Sequence, residues 1–461
     1  MDDVVQALVE ALGEKSVLRD EEVKSRKAGF WRKDYIQAKA IVRARSTEDV
    51  STALRICYEH EQVVIAHGGL TGLAGSATTG PDDVVISLEL MNKIEAINTI
   101  DRTMVVQSGV VLQSIQEAAE NEKMLFPLDL GARGSCTIGG NISTNAGGNR
   151  VIRYGMTRNL VLGLEAVLSD GTVVSSMNEM MKNNAGYDLK HMFIGSEGSL
   201  GVVTRAVLKL QEQPSSQETM FVAIDSFPKL LEFLKTIESG LGGTMSAFEV
   251  MWQSFYRLVT TAPAKNVPPL SQDYPYYVLV EAMGGDSSGD HDRVEQALAA
   301  CYEKGLIVDA VIAQSQQQTD DLWAMRDDVG QSRNLGTTFT FDVSMPLSKM
   351  EAYLEAVDSR LAVLYEHFQC ITFGHLGDGN LHLIVSLGDS GSAKDKQKVE
   401  LSVYEPLGEI GGSVSAEHGV GLEKKAFLDL SRNENELNLM RTLKRALDPK
   451  NLLNPGKIFD A

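Results

Sequence analysis

Cysteine and positive charge are both scarce in this sequence, and each shortage excludes a class of protein. The 461 residues include four cysteines, which are isolated from one another and form no CxxC pair. Neither a disulfide framework nor a thiolate metal site is therefore indicated. The formal net charge is −19, and an acidic surface repels phosphate backbones and anionic lipid headgroups. We predict a cytoplasmic protein that does not bind nucleic acid.

Long apolar runs are also missing. No segment approaches the roughly 20 apolar residues of a membrane-spanning helix, and the start, MDDVVQALVEALG, has the pattern of an acidic amphipathic helix rather than a signal peptide. These features exclude membrane insertion and leave peripheral docking open. A hydrophobic content of 43% and a charged content of 23% are typical of a globular protein. The length predicts two or three domains.

Glycine, in contrast, is concentrated in two tracts of the N-terminal half. The first, HGGLTGLAGS, follows a strand pattern at residues 63–66, and the second covers residues 128–148. Backbone N–H groups without a neighbouring Cβ can surround a phosphate or diphosphate. The GK[ST] signature of a P-loop and the Rossmann GxGxxG are both absent. Either tract alone is compatible with simple turns, but the two together favour a large dinucleotide.

Periodicity divides the chain into two regions. Ser46 caps a predicted helix, and Asp170-Gly171 predicts the turn of a hairpin, so that residues 1–212 form an α+β unit. Residues 211–217, QEQPSSQ, have the composition of a linker. Beyond them, a helix pattern at 227–239 and a strand pattern at 276–282 predict a separate domain.

The segment ITFGHLGDGNLHLIV predicts a hairpin with a two-residue turn at Asp378-Gly379. That turn puts His375 directly opposite His382, with Cβ atoms about 5 Å apart. Two neutral imidazoles can begin a Zn, Mn or Fe site, and Glu417 is the candidate carboxylate that would complete it. Without a metal, the same hairpin carries two ordinary polar side chains.

His418 follows the candidate ligand Glu417 directly. An imidazole titrates near neutral pH and can accept a hydroxyl proton, so His418 is a candidate general base. A structural loop histidine is the alternative. Neighbouring side chains on a strand point in opposite directions, and a bend at Gly419 and Gly421 would let both serve one substrate.

Six segments together resemble a known flavoprotein family: HGGLTGLAGS, FPLDLGARGSCTIGGNISTNAGGNRVIRYG, NNAGYDLKHMFIGSEGSLGVVT, FGHLGDGNLHLIV, SAEHGVGLEKK and LDPKNLLNPGKIF. They resemble the vanillyl alcohol oxidase family and, within it, the FAD-dependent D-2-hydroxyacid dehydrogenases, which include D-lactate and D-2-hydroxyglutarate dehydrogenases. The resemblance implies an α+β fold of two domains. Residues 1–212, completed by 420–461, would form the FAD-binding domain, and residues 213–419 an α+β substrate or cap domain that carries the metal site.

The resemblance also assigns the cofactor and its contacts. Leu70 stands where members with covalent flavin carry a histidine, so non-covalent FAD is expected. The residues expected to bind FAD are Gly68, Gly69, Leu70, Thr71, Gly72, Pro127, Asp129, Thr137, Gly139, Gly140, Thr144, Asn145, Gly148, Gly155, Gly198, Val202 and Asn454.

The implied chemistry is the oxidation of a 2-hydroxy acid to a 2-keto acid. His375, His382 and Glu417 would bind a divalent metal, with Zn or Mn expected, and the metal would lower the pKa of the substrate hydroxyl. His418 would take the proton, and hydride would pass from C2 to flavin N5. A separate acceptor, such as a quinone, an electron-transfer flavoprotein or a cytochrome, would reoxidise the flavin, and a homodimer is left open.

The substrate is predicted from four positions. Arg326 matches the family arginine that pairs with the substrate carboxylate. Gly330, Thr340 and Ile384 replace the Thr, Lys and Asn that surround the second carboxylate in hydroxyglutarate enzymes. An unpaired buried carboxylate is costly, so a D-2-hydroxy acid with an apolar or bulky side chain is preferred. Alternatives are D-2-hydroxyglutarate or D-lactate as substrate, a flavin oxidase, a synthase related to alkyldihydroxyacetonephosphate synthase, and a non-catalytic electron-transfer subunit.

Overall fold

The computed structural model describes residues 3–30 and 32–461 and divides into two compact units. The first unit consists of Met1–Gly147, Gly155–Gln213 and Glu417–Ala461, and the second of Gly148–Tyr154 and Pro214–Ala416. The predicted N-terminal helix runs over Asp3–Leu12, and the first two residues of that prediction lie outside the described part of the chain.

The first unit contains a mixed sheet, an antiparallel sheet and a two-stranded pair. With all elements numbered along the whole chain, its strands are β1 (Val17–Leu18), β2 (Ala40–Arg43), β3 (Val64–His67), β4 (Val84–Ser87), β5 (Ile94–Asn98), β6 (Thr103–Gln107), β7 (Met124–Leu125), β8 (Val161–Val167), β9 (Val173–Ser176), β10 (Val202–Lys209) and β11 (Gln211–Glu212). Its helices are α1 (Asp3–Leu12), α2 (Asp20–Lys24), α3 (Thr47–Glu59), α4 (Leu112–Asn121), α5 (Ile138–Thr144), α7 (Thr157–Leu160), α8 (Lys190–Phe193) and α15 (Glu434–Leu447). The strand orders are β1-β2-β4-β3, β5-β6-β10-β8-β9 and β11-β7.

Helix α3 shows why the local sequence predicted this unit well. The Ser46 side chain accepts a hydrogen bond from the Asp49 backbone N–H, which caps the first turn. Val50, Leu54 and Cys57 recur at helical spacing and are buried in the core that includes β2, β3 and β4. The predicted helix and the following strand β3 are both confirmed.

The hairpin predicted at residues 161–174 is also confirmed. Strands β8 and β9 pair antiparallel, and Leu168 donates to the carbonyl of Thr172 at 2.9 Å across a three-residue loop. Gly171 has φ +87°, in the left-handed region that an L residue with a side chain rarely adopts.

The second unit is built on a seven-stranded sheet with antiparallel pairings. The strands, in the order β15-β12-β14-β13-β17-β18-β16, are β12 (Ser216–Ile224), β13 (Met245–Trp252), β14 (Tyr276–Gly284), β15 (Asp309–Ile312), β16 (Thr338–Ser344), β17 (Gln369–Gly374) and β18 (Asn380–Ser386). The helices are α6 (Val151–Tyr154), α9 (Phe227–Leu241), α10 (Gln253–Thr260), α11 (Ser287–Glu303), α12 (Gln316–Asp327), α13 (Met350–Leu364) and α14 (Lys396–Ile410). The predicted helix at 227–239 and strand at 276–282 are confirmed as α9 and β14.

One apolar cluster fixes two helices on one face of this sheet. Phe255 of α10 and Met325 of α12 pack with Phe373 of β17 and Ile384 of β18. Burial of each such side chain contributes about 1.5–3 kcal/mol. Helix α12 is therefore held against this sheet, and this position decides where its last turn, which contains Arg326, lies.

The short segment Gly148–Tyr154 belongs to the second unit, although the sequence analysis placed it in the FAD-binding domain. Arg150 Nε lies 3.1 Å from Glu281 Oε1 on β14, and this carboxylate is fully buried. An ion pair to a distant strand leaves no local pattern in the sequence. Among residues 3–30 and 32–461, no helix has both the length and the apolar character needed to cross a bilayer.

Candidate active site

The first unit contains a cavity of about 510 Å³ beside strand β3. Its walls come from the glycine tract after β3, from α5 with the residues before it, from the start of β10, and from the C-terminal segments of the chain. Twelve residues expected to bind FAD line it: Gly68, Gly69, Leu70, Thr71, Gly72, Thr137, Gly139, Gly140, Thr144, Gly198, Val202 and Asn454. The two glycine tracts thus meet at one cavity, as their composition suggested.

Close backbone contact explains one of these glycines. A Cβ on Gly69 would lie 2.3 Å from the Ser135 carbonyl oxygen and 2.9 Å from Cys136 Cα, so a larger residue would push the two tracts apart. Gly72 differs, because a Cβ there meets no atom of the described residues within 4 Å. Gly69 therefore shapes the wall, whereas Gly72 borders open space.

The cavity wall has hydrogen-bonding capacity suited to a nucleotide cofactor. Thr137 Oγ1 is buried and makes no hydrogen bond to the part of the chain that is described, and Thr137 lines the cavity. A buried hydroxyl without a partner is costly, and an FAD phosphate or ribose oxygen would satisfy it. This donor, together with the glycine-rich wall, fits FAD.

Five of the predicted FAD contacts are not among the residues that line this cavity: Pro127, Asp129, Asn145, Gly148 and Gly155. Asp129 pairs with Arg133 at 2.8 Å. The Asn145 side chain accepts from the Arg158 backbone N–H at 2.9 Å. Gly148 lies in the second unit. These assignments stay predictions.

Several other wall residues were not expected from the sequence, among them Gly29 and Arg32 near the N-terminus. The Phe30 N–H donates to the Leu70 carbonyl at 2.9 Å, and Arg32 Nη1 donates to Thr78 Oγ1 at 2.9 Å. These contacts bring Gly29, Phe30 and Arg32 to the first glycine tract. No periodic or compositional signal marks them, because the contacts form only in the folded unit.

His418 lines the same cavity, on a loop that a buried carboxylate secures. Glu197 Oε1 accepts from the Val420 N–H at 2.7 Å, and Oε2 accepts from the Gly421 N–H at 3.0 Å and from the Ser76 hydroxyl. Burial raises the pKa of Glu197, although these hydrogen bonds oppose the shift. Glu197 was missed in the sequence, where its only signal is an acidic residue inside the glycine-rich stretch GSEGSLG.

The chain bends after His418, as the sequence analysis expected. Gly419 and Gly421 have φ values of +79° and +52°. The Glu417 carboxylate lies against Gly147, where an added Cβ would meet Oε1 at 2.3 Å. Glu417 and His418 are the first two residues of the last segment of the first unit, whereas the predicted boundary placed both in the cap domain.

In the second unit, the predicted register of the histidine hairpin is wrong. Phe373, not His375, pairs with His382, and residues 375–379 form the connection, with a 3₁₀ turn over Leu376–Asp378. The reason is burial: Leu376 is fully buried, which draws the chain inward and lengthens the loop. Gly379 still adopts the left-handed conformation, with φ +83°.

The two histidine rings are nevertheless adjacent, with ring centroids 5.3 Å apart. One ring nitrogen of His375 lies within 4.8 Å of one of His382, so this donor set fits two ligands of a divalent metal. His382 Nδ1 also lies 3.9 Å from Asp342 Oδ1 on the paired strand β16. Glu417, the third predicted ligand, belongs to the first unit.

Arg326 is buried beside these rings at the end of α12. Its Nε donates to Glu249 Oε2 at 2.7 Å, its Nη2 lies 3.3 Å from His375 Nε2, and its Nη1 lies 3.8 Å from Asp327 Oδ1. The guanidinium carbon lies 5.2 Å from the centre of the Phe373 ring, in a cation–π arrangement. Arg326 therefore shares one buried polar cluster with the metal-ligand candidate His375.

The three remaining substrate positions differ in exposure. Thr340 and Ile384 are paired across β16 and β18; Thr340 is exposed, whereas Ile384 is buried in the apolar cluster under α12. Gly330 is exposed in the 3₁₀ segment after α12. None of the three supplies a cation.

Comparison with known proteins identifies the family. Residues 38–176 match the family described as FAD binding domain, and residues 213–458 match FAD linked oxidases, C-terminal domain. The chain is 39% identical to D-2-hydroxyglutarate dehydrogenase of Xanthomonas citri pv. viticola, over 91% of this chain and 89% of that protein. It is 38% identical to the mitochondrial D-2-hydroxyglutarate dehydrogenase of Bos taurus, over 92% of this chain and 77% of that protein.

Solved structures agree with the predicted fold class. A crystal structure of p-cresol methylhydroxylase with substrate bound matches with a TM-score of 0.79 at 16% identity, covering all of this chain and 97% of that one. The 4-ethylphenol oxidase from Gulosibacter chungangensis matches with a TM-score of 0.76 at 18% identity, covering 99% of this chain and 97% of that one. The predicted two-domain FAD-binding fold and the family resemblance are therefore confirmed. This chain belongs to the vanillyl alcohol oxidase family of FAD-linked oxidoreductases, in the group of the FAD-dependent D-2-hydroxyacid dehydrogenases.

Proposed function

We propose that this protein oxidises a D-2-hydroxy acid to the 2-keto acid, with His418 as the base that accepts the hydroxyl proton on a ring nitrogen. The observation that carries the proposal is that His418 lines the cavity that fits FAD. FAD, when bound, accepts the hydride released from C2 of the substrate. The Glu197 contacts to Val420 and Gly421 hold the loop that carries His418.

We propose His375, His382 and Glu417 as ligands of a divalent metal, Zn or Mn. Two adjacent imidazoles support the first two assignments, and the family motif supports all three. A divalent metal, when bound, would lower the pKa of the substrate hydroxyl. In this proposal the first unit binds FAD, and the second provides two ligands and the substrate-binding arginine.

Arg326 is proposed to bind the substrate carboxylate through its guanidinium. Its contact with Glu249 uses Nε, on the side of the fork away from Nη1. A planar guanidinium presents paired N–H groups that suit a carboxylate. Gly330, Thr340 and Ile384 provide no cation for a second carboxylate, so we propose a substrate whose side chain is apolar or bulky.

D-2-hydroxyglutarate is the second candidate substrate, because the relatives that are 38–39% identical carry that name. Electrons would leave the flavin for a separate acceptor, which we propose to be a quinone, an electron-transfer flavoprotein or a cytochrome. We propose a cytoplasmic enzyme on the basis of its isolated cysteines.

The test is anaerobic bleaching of the flavin absorbance by a panel of D- and L-2-hydroxy acids, with and without a chelator. We expect rapid bleaching by D-acids with apolar side chains and loss of bleaching after metal removal, restored by Zn or Mn. If D-2-hydroxyglutarate were the only acid to bleach the flavin, the proposal that the substrate has an apolar or bulky side chain would be overturned. Bleaching unaffected by chelator would remove the metal from the proposal, and no bleaching by any acid would overturn the reaction.

A second measurement separates a dehydrogenase from an oxidase. After bleaching, the protein is mixed with air-saturated buffer, with or without an artificial quinone. We expect slow recovery of the oxidised flavin in oxygen alone and fast recovery with the quinone. Fast recovery in oxygen alone would instead identify an oxidase.

A further inference from the structure

Glu249 on strand β13 is a buried carboxylate that contacts two predicted site residues at once. Its Oε2 accepts from Arg326 Nε at 2.7 Å, and its Oε1 lies 2.6 Å from His375 Nδ1. Glu249 is 1% exposed, and Arg326 and His375 are each 5% exposed. The three side chains form a buried chain of charge-assisted contacts.

These contacts select one form of the His375 ring. Arg326 Nη2 can only donate, and it lies 3.3 Å from Nε2 of the ring, so Nε2 accepts. The carboxylate can only accept when ionised, so Nδ1 carries the hydrogen that it donates to Glu249. One neutral tautomer satisfies both neighbours: Nδ1 carries the hydrogen, and the Nε2 lone pair faces Arg326 Nη2 and would exchange this contact for a metal.

The same carboxylate balances the charge of Arg326. A guanidinium buried without an anionic partner is strongly unfavourable. The Glu249 carboxylate contacts both groups through its two oxygens, and so fixes both the position of the guanidinium and the orientation of the ring.

We propose that Glu249 is a positioning residue that couples the substrate-binding arginine, Arg326, to the metal-ligand candidate His375. Carboxylate binding and metal binding then depend on one side chain. The inference rests on the proposed function for the roles of Arg326 and His375, and goes beyond it by assigning Glu249.

The informative variant is Glu249→Gln. Glutamine has the shape of glutamate but offers one carbonyl oxygen in place of two carboxylate oxygens, so either Arg326 Nε or His375 Nδ1 loses its acceptor. The matched control is Glu281→Gln on the neighbouring strand β14. Glu281 belongs to the same sheet, is equally buried and pairs with Arg150 at 3.1 Å, so the control also replaces a buried carboxylate that faces an arginine.

Three quantities are measured on the FAD-loaded proteins: the Zn²⁺ dissociation constant by competition with a chromophoric chelator, the KM for the best 2-hydroxy acid, and thermal stability. We expect Glu249→Gln to raise the Zn²⁺ dissociation constant about 10–100-fold and to raise KM about 10-fold or more. Glu281→Gln should lower thermal stability while changing both constants less than about 3-fold. Equal effects of the two variants on all three quantities would overturn the proposal.

A spectroscopic readout keeps this test separate from that of the proposed function. If the wild-type protein neither binds Zn²⁺ nor oxidises a 2-hydroxy acid, the proposed function fails, and the ring itself is then examined by ¹⁵N NMR of labelled histidine. The His375 signals are assigned from their loss in His375→Asn. The inference requires the Nδ1–H tautomer in the wild type and a mixture of tautomers in Glu249→Gln. An unchanged tautomer in that variant would overturn it.

Discussion

The two regions of this molecule that carry the proposed site are built in opposite ways. The cavity of the first unit is formed largely by backbone and small side chains, where Gly69 lets two glycine tracts touch. The polar cluster of the second unit is formed by long ionisable side chains, Glu249, Arg326 and His375, buried together on a sheet. The shape of the cavity wall therefore depends on how closely two backbone segments can approach each other, whereas the polar cluster depends on which buried charges are paired.

The largest expected effect comes from obstructing the backbone contact between Gly69 and Ser135. Gly69→Ala would place a methyl group 2.3 Å from the Ser135 carbonyl oxygen, so we expect the free energy of unfolding to fall by about 3 kcal/mol and FAD to be lost. The measurements are urea unfolding of the FAD-free protein and flavin retention on gel filtration.

Gly72→Ala is the matched control for that wall. No described atom lies within 4 Å of the new methyl group, so the stability of the FAD-free protein should change by less than about 0.5 kcal/mol, while FAD binding weakens if the cofactor occupies that space. Equal destabilisation of the FAD-free protein by both variants would contradict the assignment of Gly69 to the wall.

The next effect tests the ionisable side chain that enters this backbone-rich wall. His418→Asn should retain FAD but slow flavin reduction by about 100-fold or more, because a general base is lost. Stopped-flow bleaching under anaerobic conditions measures the rate, and the flavin-to-protein absorbance ratio verifies cofactor content. A rate equal to that of the wild type would remove His418 from the mechanism.

A smaller effect is the pH dependence of stability caused by His67. This histidine of the cavity wall is buried without a charged partner among the described residues, unlike the paired charges of the second unit. Burial lowers the pKa of His67 from 6.5 to about 4, and its Nε2 contacts the Ala77 carbonyl at 2.9 Å. The unfolded chain therefore takes up a proton near pH 6.5, whereas folded His67 does so only near pH 4. The free energy of unfolding consequently falls as the pH decreases from 6.5 towards 4. Between pH 6.5 and 5 we expect a loss of about 2 kcal/mol.

The control for this pH dependence is His67→Gln, whose amide can still donate to Ala77. Urea unfolding of both proteins at the two pH values gives the difference, and the variant should lack the His67 contribution. The same pH dependence in both proteins would show that other groups cause it.

The smallest effect concerns backbone strain in the first glycine tract. Leu70 has φ +56°, a left-handed conformation that asparagine tolerates better than most residues. Leu70→Asn and Leu70→Ala both remove the apolar side chain, so we expect the asparagine variant to be more stable by about 1 kcal/mol. Urea unfolding of the FAD-free proteins measures the difference, and a more stable alanine variant would exclude strain at this position.

Local sequence patterns predicted the elements of both units where one short segment contains the whole signal. The Ser46 cap and the spacing of Val50, Leu54 and Cys57 suffice for α3, and Gly171 suffices for the β8–β9 turn. The histidine hairpin was predicted as a hairpin but with the wrong register, because burial of Leu376, a tertiary effect, lengthens its loop.

By itself, the sequence determined the family, the glycine tracts that meet at the cavity, and the residue types available for chemistry, since these depend on residues close together in the chain. Only the tertiary structure decided that Glu249 joins Arg326 to His375 and that Glu197 holds the loop after His418. Their partners lie 77 to 224 residues away in the sequence. Pairing of buried charges is set by which strands and helices pack together, and no local pattern encodes it.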